Sequence, residues 1–131
     1  MAQLRVGLAQ IDSIVGDLAG NSDEVSRWTA QAAQQGCHVV VFPEMMLTGY
    51  PPEDLVLRAS FVQASLDALT VLARRLADEG AGEIAVVVGY CGRSDAPAPA
   101  VGRPAGEPHN AAAVLYGGAV VASYAKHHLP N

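Results

Sequence analysis

Two charged residues, Glu44 and Lys126, stand at the ends of predicted strands, and the strand before Glu44 has the composition of a buried one. Ligands of open α/β sheets bind at the carboxyl ends of strands, so the carboxylate of Glu44 can act as a general base there. We expect partial burial to raise the pKa of Glu44 and so to suit it to that role. An ammonium at a strand end can neutralise a carboxylate or stabilise an oxyanion. Position alone also allows both residues to be solvated surface charges, which is the commoner case.

The two cysteines are candidate nucleophiles, and two adjacent histidines are candidate metal ligands. Cys37 precedes its strand and Glu44 follows it, so an extended chain holds them too far apart for proton transfer. Cys91 comes just after its strand, on the same rim as Glu44 if the strands are parallel, but nothing in the sequence activates it, and core packing is the favoured interpretation. Adjacent side chains diverge and no third ligand is in sight, so His127 and His128 predict no metal site.

The spacing of apolar residues predicts the elements that must position these side chains. Fully apolar runs are typical of parallel strands buried on both faces, and apolar residues three and four apart are typical of helices. The predicted strands are Leu4–Ile11, Val39–Phe42, Ile84–Tyr90, Ala111–Tyr116 and Ala119–Tyr124, and the predicted helices are Ser22–Gln35 and Ser60–Asp78. This β-α-β-α-β order, followed by a hairpin, indicates the α/β class, with helices covering at least one face of a sheet.

Shorter signals predict how these elements begin and end. Asn21 and Ser60 are residue types that cap helix N-termini, and Gly36 is a natural stop after the first helix. The pair Gly117–Gly118 predicts a two-residue hairpin turn. The proline-rich stretch Ser94–Pro108 predicts an excursion over the surface.

Composition excludes several classes of protein. The chain has 131 residues, of which 50% are apolar and 16% charged, so we expect one folded domain over residues 1–131 rather than a disordered chain. A net charge of −5 without a basic stretch argues against nucleic acid or an anionic membrane as partner. The sequence shows no membrane-spanning run, signal-peptide pattern or disulfide framework, and we therefore expect a cytoplasmic protein.

Three segments of the sequence carry a resemblance to a known family. Phe42–Leu55, which reads Phe-Pro-Glu-Met-Met-Leu-Thr-Gly-Tyr-Pro-Pro-Glu-Asp-Leu, is similar to the first catalytic segment of the nitrilase, or carbon–nitrogen hydrolase, superfamily. Its Leu-Thr-Gly-Tyr followed by Pro-x-Glu-Asp-Leu resembles the glutaminase domain of glutamine-dependent NAD⁺ synthetases. Leu4–Ile11 is similar to the first strand of that family, and Tyr124–Asn131 is similar to its second catalytic segment.

The resemblance implies both a fold and a set of roles. The fold would be a partial nitrilase-type α-β-β-α sandwich, of which this chain would hold about the first half. In the family a Glu-Lys-Cys triad hydrolyses an amide. Glu44 would then be the general base, Lys126 would stabilise the tetrahedral intermediate, and Tyr50 would lie near the pocket for L-glutamine. We expect Glu44 and Lys126 to lie within contact distance, because a partly buried carboxylate needs a partner.

The family also implies parts that this sequence does not contain. The family's cysteine follows the lysine motif, so neither Cys37 nor Cys91 matches it, and the resemblance implies a chain truncated before its nucleophile. It further implies a C-terminal synthetase domain, missing from residues 1–131, that uses ATP and Mg²⁺ to convert deamido-NAD⁺ to NAD⁺ with the released ammonia. The full-length enzyme would be a homo-oligomer. No cofactor and no metal are expected in residues 1–131 themselves.

The sequence alone leaves two alternatives open. One is another branch of the superfamily, such as a carbamoyl hydrolase or an aliphatic amidase, although the stretch from Leu47 to Leu55 favours the glutaminase. The other is a truncated remnant without a nucleophile, which at most binds or assembles with other chains. We expect the 131-residue chain by itself to be inactive and poorly soluble. The coding sequence past Asn131 would separate this remnant from the glutaminase.

Overall fold

Three parallel strands and two helices precede an antiparallel hairpin in the computed structural model, which describes residues 3–52, 55, 58–93 and 108–126. In chain order the elements are β1 (Val6–Leu8), α1 (Leu18–Gln34), β2 (Val39–Val41), α2 (Ala59–Leu76), a π-helical turn (Ala77–Ala81), β3 (Ala85–Arg93), β4 (Pro108–Tyr116) and β5 (Ala119–Ala125). The strands form a sheet in the order β1-β2-β3-β4-β5, parallel from β1 to β3 and antiparallel from β3 to β5. The predicted α/β class is confirmed.

Glycines end α1 and form the turn of the hairpin, as the sequence predicts. Gly36 follows the C-terminus of α1 with a φ of +76°, the left-handed conformation that a residue with a side chain rarely adopts. Gly117 and Gly118 have φ values of 63° and 84°. A two-residue type I′ turn requires a positive φ at both of its central positions. The turn therefore brings β5 back along β4.

The ladder between β4 and β5 contains a bulge. Leu115 pairs with Val120, but the preceding residue of β4, Val114, pairs with Ala122. Val121 is therefore an extra residue of β5 without a pairing partner in β4. Beyond it, the two strands run in a register that differs by one residue from the register at the turn.

The two faces of the sheet differ in burial. Side chains of one face pack on α1 and α2, and because successive residues of a strand point to opposite faces, only alternate residues enter this core. The main members of the core are Val25, Ala32, Val40, Leu69, Leu72, Leu76, Val86, Val88, Ala113 and Leu115. On the opposite face Val41, Val87 and Ala112 are only half-buried. The helices thus cover one face, and the other remains open to a cavity.

The first helix begins one turn earlier than the sequence predicts. It starts at Leu18 rather than Ser22, because Asp17 is the N-cap and its side-chain oxygen accepts a hydrogen bond of 2.9 Å from the Gly20 N–H. Asn21, the predicted cap, lies inside the helix and is buried. The capping prediction is wrong because the Asn21 side chain forms hydrogen bonds with Ile14 and Leu47 instead.

The second helix also begins without the predicted cap. Arg58 is the N-cap residue, α2 starts at Ala59, and Ser60 lies within the helix. After Leu76 the chain continues as a π-helical turn in which Gly80 adopts a φ of +91°. Within the described residues, neither helix has the length and hydropathy that a membrane span requires.

All five predicted strands have different bounds in the structure. β2 and β5 differ from the prediction by one residue at one end, and β4 begins at Pro108 instead of Ala111, so Pro108 belongs to a strand and not to the predicted surface excursion. The first is limited to Val6–Leu8 instead of Leu4–Ile11, because β2 offers it a ladder of only three residues. The third runs beyond Tyr90 as far as Arg93, because its last residues pair with the beginning of β4. Of the predicted excursion Ser94–Pro108, residues 94–107 lie outside the described part of the chain.

Candidate active site

The segment that follows β2 crosses β3 and carries Glu44. The Phe42 N–H donates to a carbonyl of β3 over 2.8 Å, and the Leu47 N–H donates to the Gly89 carbonyl over 3.1 Å. The segment is therefore tied to β3 on both sides of Glu44. A Cβ added to Gly89 would lie 2.7 Å from the Pro43 carbonyl oxygen and closer still to the backbone nitrogen of Met45. Only a glycine allows the chain to pass so near the strand.

A buried asparagine fixes the same segment from the side of α1. The Asn21 amide nitrogen donates to the carbonyls of Leu47, at 2.9 Å, and of Ile14, at 2.8 Å. The Asn21 side-chain oxygen accepts from the Ile14 N–H at 2.8 Å. Three hydrogen bonds satisfy this buried amide and join two loops to the helix. Asn21 thus holds the segment that carries Glu44 in place, and it does not cap the start of the helix.

Glu44 and Lys126 form an ion pair across the end of the sheet. The Lys126 Nζ donates to the Glu44 Oε1 over 2.8 Å, although the two residues are separated by 82 positions in the sequence. Each side chain is 43% exposed. The predicted contact is confirmed. Exposed ion pairs contribute about 1 kcal/mol or less to the stability of a protein, so this pair matters for chemistry more than for folding.

Asn110, at the beginning of β4, completes this cluster. Its amide nitrogen donates a short hydrogen bond to Oε1 of Glu44, the same oxygen that accepts from Lys126. The Lys126 N–H in turn donates to the Asn110 carbonyl over 2.9 Å. Within the described part of the chain, the other oxygen, Oε2, accepts no hydrogen bond. One carboxylate oxygen is thus held by two donors.

The pKa of Glu44 shifts in the direction opposite to the prediction. The hydrogen bond from Lys126 lowers the pKa of Glu44 below its ordinary value, and the hydrogen bond from Asn110 and the charge of Lys126 act in the same direction. Desolvation raises the pKa, but the side chain is too exposed for this effect to dominate. Glu44 is therefore ionised at neutral pH, the state that a base needs.

A cavity of about 310 Å³ opens beside Glu44 on the face of the sheet that the helices do not cover. It is mostly apolar, and its polar side chains meet at one end. The residues that line it are Val41, Phe42, Pro43, Glu44, Val87, Gly89, Asn110, Ala111, Ala112, Tyr124 and Lys126. Apolar walls with a few convergent polar groups are typical of small-molecule sites.

Neither cysteine of the chain enters this cavity. Cys91 is fully buried in a small cluster with Met45 and Val62. Burial raises the pKa of the Cys91 thiol, and the nearby charge of Arg93 opposes that shift only in part. A buried thiol with a raised pKa is a poor nucleophile, in agreement with the packing role favoured by the sequence. Cys37 is half-buried and packs against the main core.

The remaining candidates from the sequence lie outside the cluster. Tyr50 is 65% exposed and does not line the cavity, so its role in substrate binding stays a prediction. His127 and His128 lie outside the described residues. Among the residues that the structure describes, no group of three His, Cys, Asp or Glu side chains could hold a metal ion.

Sequence reasoning missed Asn110. A polar residue before an apolar run is a weak signal, and two of them, His109 and Asn110, precede the run Ala111–Tyr116. A regular ladder counted from the pair Tyr116 and Ala119 would set Lys126 opposite His109. The bulge in β5 sets Lys126 opposite Asn110 instead. Only the register of the folded hairpin identifies the residue that reaches Glu44.

Comparison with known proteins agrees with this geometry. The carbon–nitrogen hydrolase family matches residues 5–131. The chain is 34% identical over 131 residues to the glutamine-dependent NAD(+) synthetase of Thermotoga maritima and 36% identical over 129 residues to that of Xanthomonas campestris. These two matches include 100% and 98% of this chain, but only 20% and 21% of the length of the two relatives. The chain thus spans about a fifth of the length of the curated relatives it matches.

Solved structures show the same relationship in the fold. The glutamine-dependent NAD+ synthetase from Acinetobacter baumannii superposes with a TM-score of 0.79 at 28% identity, over 100% of this chain and 22% of that one. An amidase from Nesterenkonia superposes with a TM-score of 0.73 at 25% identity, over 98% of this chain and 44% of that one. Sequence, fold and the paired Glu44 and Lys126 lead to one conclusion: the chain belongs to the carbon–nitrogen hydrolase family.

Proposed function

We propose that this chain provides the general base and the cation of an amide-hydrolysing site whose substrate is L-glutamine. The observation that carries the proposal is the 2.8 Å contact between Glu44 and Lys126 at the polar end of an otherwise apolar cavity. The choice of glutamine rests on the relatives, which are named glutamine-dependent NAD(+) synthetases. By the same likeness, Tyr50 would contact the glutamine.

The proposed reaction needs a thiol, a base and a cation. Glu44 takes the proton of a cysteine thiol, and the sulfur attacks the carbon of the substrate amide. The tetrahedral intermediate collapses with cleavage of the C–N bond, and protonated Glu44 returns the proton to the leaving ammonia. Water, deprotonated by Glu44, then attacks the thioester carbon, the C–S bond breaks to release glutamate, and protonated Glu44 returns the proton to the cysteine sulfur.

Lys126 has the donors that this reaction requires. An ammonium carries three N–H bonds, and the contact with Glu44 Oε1 uses one of them. The remaining two can meet the oxyanion of the tetrahedral intermediate. The nucleophile would be a cysteine that follows the Lys126 motif, because Cys91 is buried and Cys37 does not line the cavity.

The relatives also suggest what the ammonia serves. We place it as the nitrogen donor for an ATP-dependent, Mg²⁺-dependent step in a synthetase domain that converts deamido-NAD⁺ to NAD⁺, in a homo-oligomeric enzyme of the cytoplasm. The described residues offer no cluster suited to a metal, so no step through Mg²⁺ is assigned to this chain.

The test compares two nitrogen donors in the enzyme that carries this chain. Glu44→Gln and Lys126→Met should each reduce glutamine-dependent NAD⁺ formation by about 10²- to 10⁴-fold, the range that acid–base and oxyanion groups supply. Both variants should keep the activity with free ammonia, and Glu83→Gln, which removes an exposed carboxylate elsewhere, should match the unmodified enzyme. Equal loss with both donors would contradict the proposal.

One structural neighbour favours a second candidate. The amidase from Nesterenkonia has been solved with acrylamide added to its active-site cysteine, and it shares this fold at 25% identity. Amide hydrolysis without a synthetase would then be the activity. Rapid hydrolysis of simple aliphatic amides, with no preference for glutamine, would favour this candidate over the first.

A further inference from the structure

We propose that Asn110 is a positioning residue that, together with Lys126, fixes Glu44 so that Oε2 is the atom that accepts the proton. This inference rests on the proposed function and assigns a role within the same site. Asn110 and Lys126 both donate to Oε1 of Glu44, and within the described residues Oε2 accepts no hydrogen bond. Two donors on one oxygen leave the second oxygen as the more basic atom, because hydrogen bonds withdraw charge from the atom that accepts them.

The two donors form one unit with the sheet. Asn110 and Lys126 lie opposite each other at the end of the β4–β5 ladder, and the Lys126 N–H donates to the Asn110 carbonyl over 2.9 Å. Asn110 thus holds Lys126 through its backbone and Glu44 through its side chain. Moving either donor would remove one of the two hydrogen bonds that hold Oε1 of Glu44.

Asn110 also matters because it is uncharged. Among the described residues that line the cavity, the titratable side chains other than Glu44 are Lys126 and Tyr124, which lie at the end of β5. Lys126 can pair with Glu44 from many positions, since an ammonium is a point charge on a flexible stem. The planar amide of Asn110 has only two rotatable bonds and a defined direction. It therefore supplies the orientation that the lysine alone does not.

The first experiment measures the titration of Glu44 in the enzyme that carries this chain. The enzyme is labelled with ¹³C at the glutamate carboxyl groups, and Glu44→Gln identifies the signal of interest. Asn110→Ala removes the donor, and Asn110→Asp keeps the shape but replaces the donor with a second carboxylate. Both should raise the pKa of Glu44, Asn110→Asp by the larger amount. Ser123→Ala, an exposed polar-to-alanine change on β5, should leave it unchanged.

The second experiment measures the pH dependence of glutamine hydrolysis in the enzyme that carries this chain. Asn110→Asp should reduce kcat/KM by about 10- to 100-fold, the effect of losing one hydrogen bond to a charged group, and should move the acidic limb to higher pH. A residue that only supported the fold would lower the amount of active enzyme without moving this limb.

The outcomes separate the inference from the proposed function. A Glu44 titration that is unchanged in both Asn110 variants overturns the role of Asn110, whatever the activity. Unfolding of both variants also overturns it, because Asn110 would then be a structural residue. Full glutamine hydrolysis by Glu44→Gln instead refutes the proposed function, and the titration still decides whether Asn110 holds the carboxylate.

Discussion

The Lys126 N–H donates to the Asn110 carbonyl over 2.9 Å, so the two residues that hold the Glu44 carboxylate are themselves joined by a backbone hydrogen bond. Glu44 is held against this pair by a segment tied to β3 and to the buried side chain of Asn21. The cluster is therefore built from three parts of the chain, and a change in any of them should reach Glu44.

The ion pair should contribute little to stability and only above a certain pH. Because the pKa of Glu44 is lowered in the folded state from its ordinary value of 4.5, its stabilising effect is present above that value and is lost as the pH falls through the folded-state pKa. Lys126→Met should lower the free energy of unfolding at pH 7 by less than about 1 kcal/mol, since both side chains are exposed. Urea unfolding at pH 7 and at a pH below the folded-state pKa measures this difference, which should vanish at the lower pH. A loss above about 3 kcal/mol would instead indicate a buried pair.

Gly89→Ala should displace the segment that carries Glu44. The new Cβ would lie 2.7 Å from the Pro43 carbonyl oxygen, and backbone atoms on a tied segment cannot give way cheaply. We expect a loss of about 1 to 3 kcal/mol in the free energy of unfolding, together with a weaker contact between Glu44 and Lys126. Gly82→Ala is the matched control, because its Cβ would meet its nearest neighbour at an ordinary 3.4 Å. Similar losses in the two variants would refute the steric argument.

Asn21→Ala should destabilise the protein from inside α1. The change leaves the Leu47 and Ile14 carbonyls and the Ile14 N–H without the amide that now satisfies them. Unsatisfied buried groups cost about 1 to 3 kcal/mol, and we expect a decrease of that size in chemical denaturation. Gln31→Ala, which removes an exposed amide from the same helix, should change the stability by less than about 0.5 kcal/mol. An equally small effect for Asn21→Ala would mean that water replaces the side chain without cost.

The two cysteines should differ in reactivity, and neither should give the chain an amidase activity. Cys37 is half-buried and should react with a thiol reagent well before Cys91, which is fully buried and whose pKa is raised by burial. Cys37→Ser should remove the fast phase of the reaction and Cys91→Ser the slow phase. Residues 1–131 alone should release no ammonia from glutamine. Release that disappears in Cys91→Ser would instead make Cys91 the nucleophile.

The sequence predicted the strands that are continuous apolar runs and the glycines that end elements, because these signals depend on local chemistry alone. It misplaced the start of α1, since the choice between Asp17 and Asn21 as cap is decided by hydrogen bonds of Asn21 with Ile14 and with Leu47, which is distant in the sequence. It also predicted the wrong direction for the pKa of Glu44. That error has a physical cause: a strand end suggests burial, whereas the open face of the sheet leaves the carboxylate exposed to both water and donors.

The bulge at Val121 makes the number of residues in the hairpin more important than their identity. Side chains alternate between the faces of a sheet, so if the same residues paired in a regular ladder without the bulge, Lys126 would lie opposite His109 and point to the face that the helices cover. Substitutions along the exposed part of β5, apart from Tyr124, which lines the cavity, leave this count unchanged, and the site should tolerate them. An insertion or deletion between the turn and Lys126 is different, because it must create or remove a bulge to keep Lys126 beside Glu44. We therefore expect the length of this short segment to be under stricter selection than its sequence.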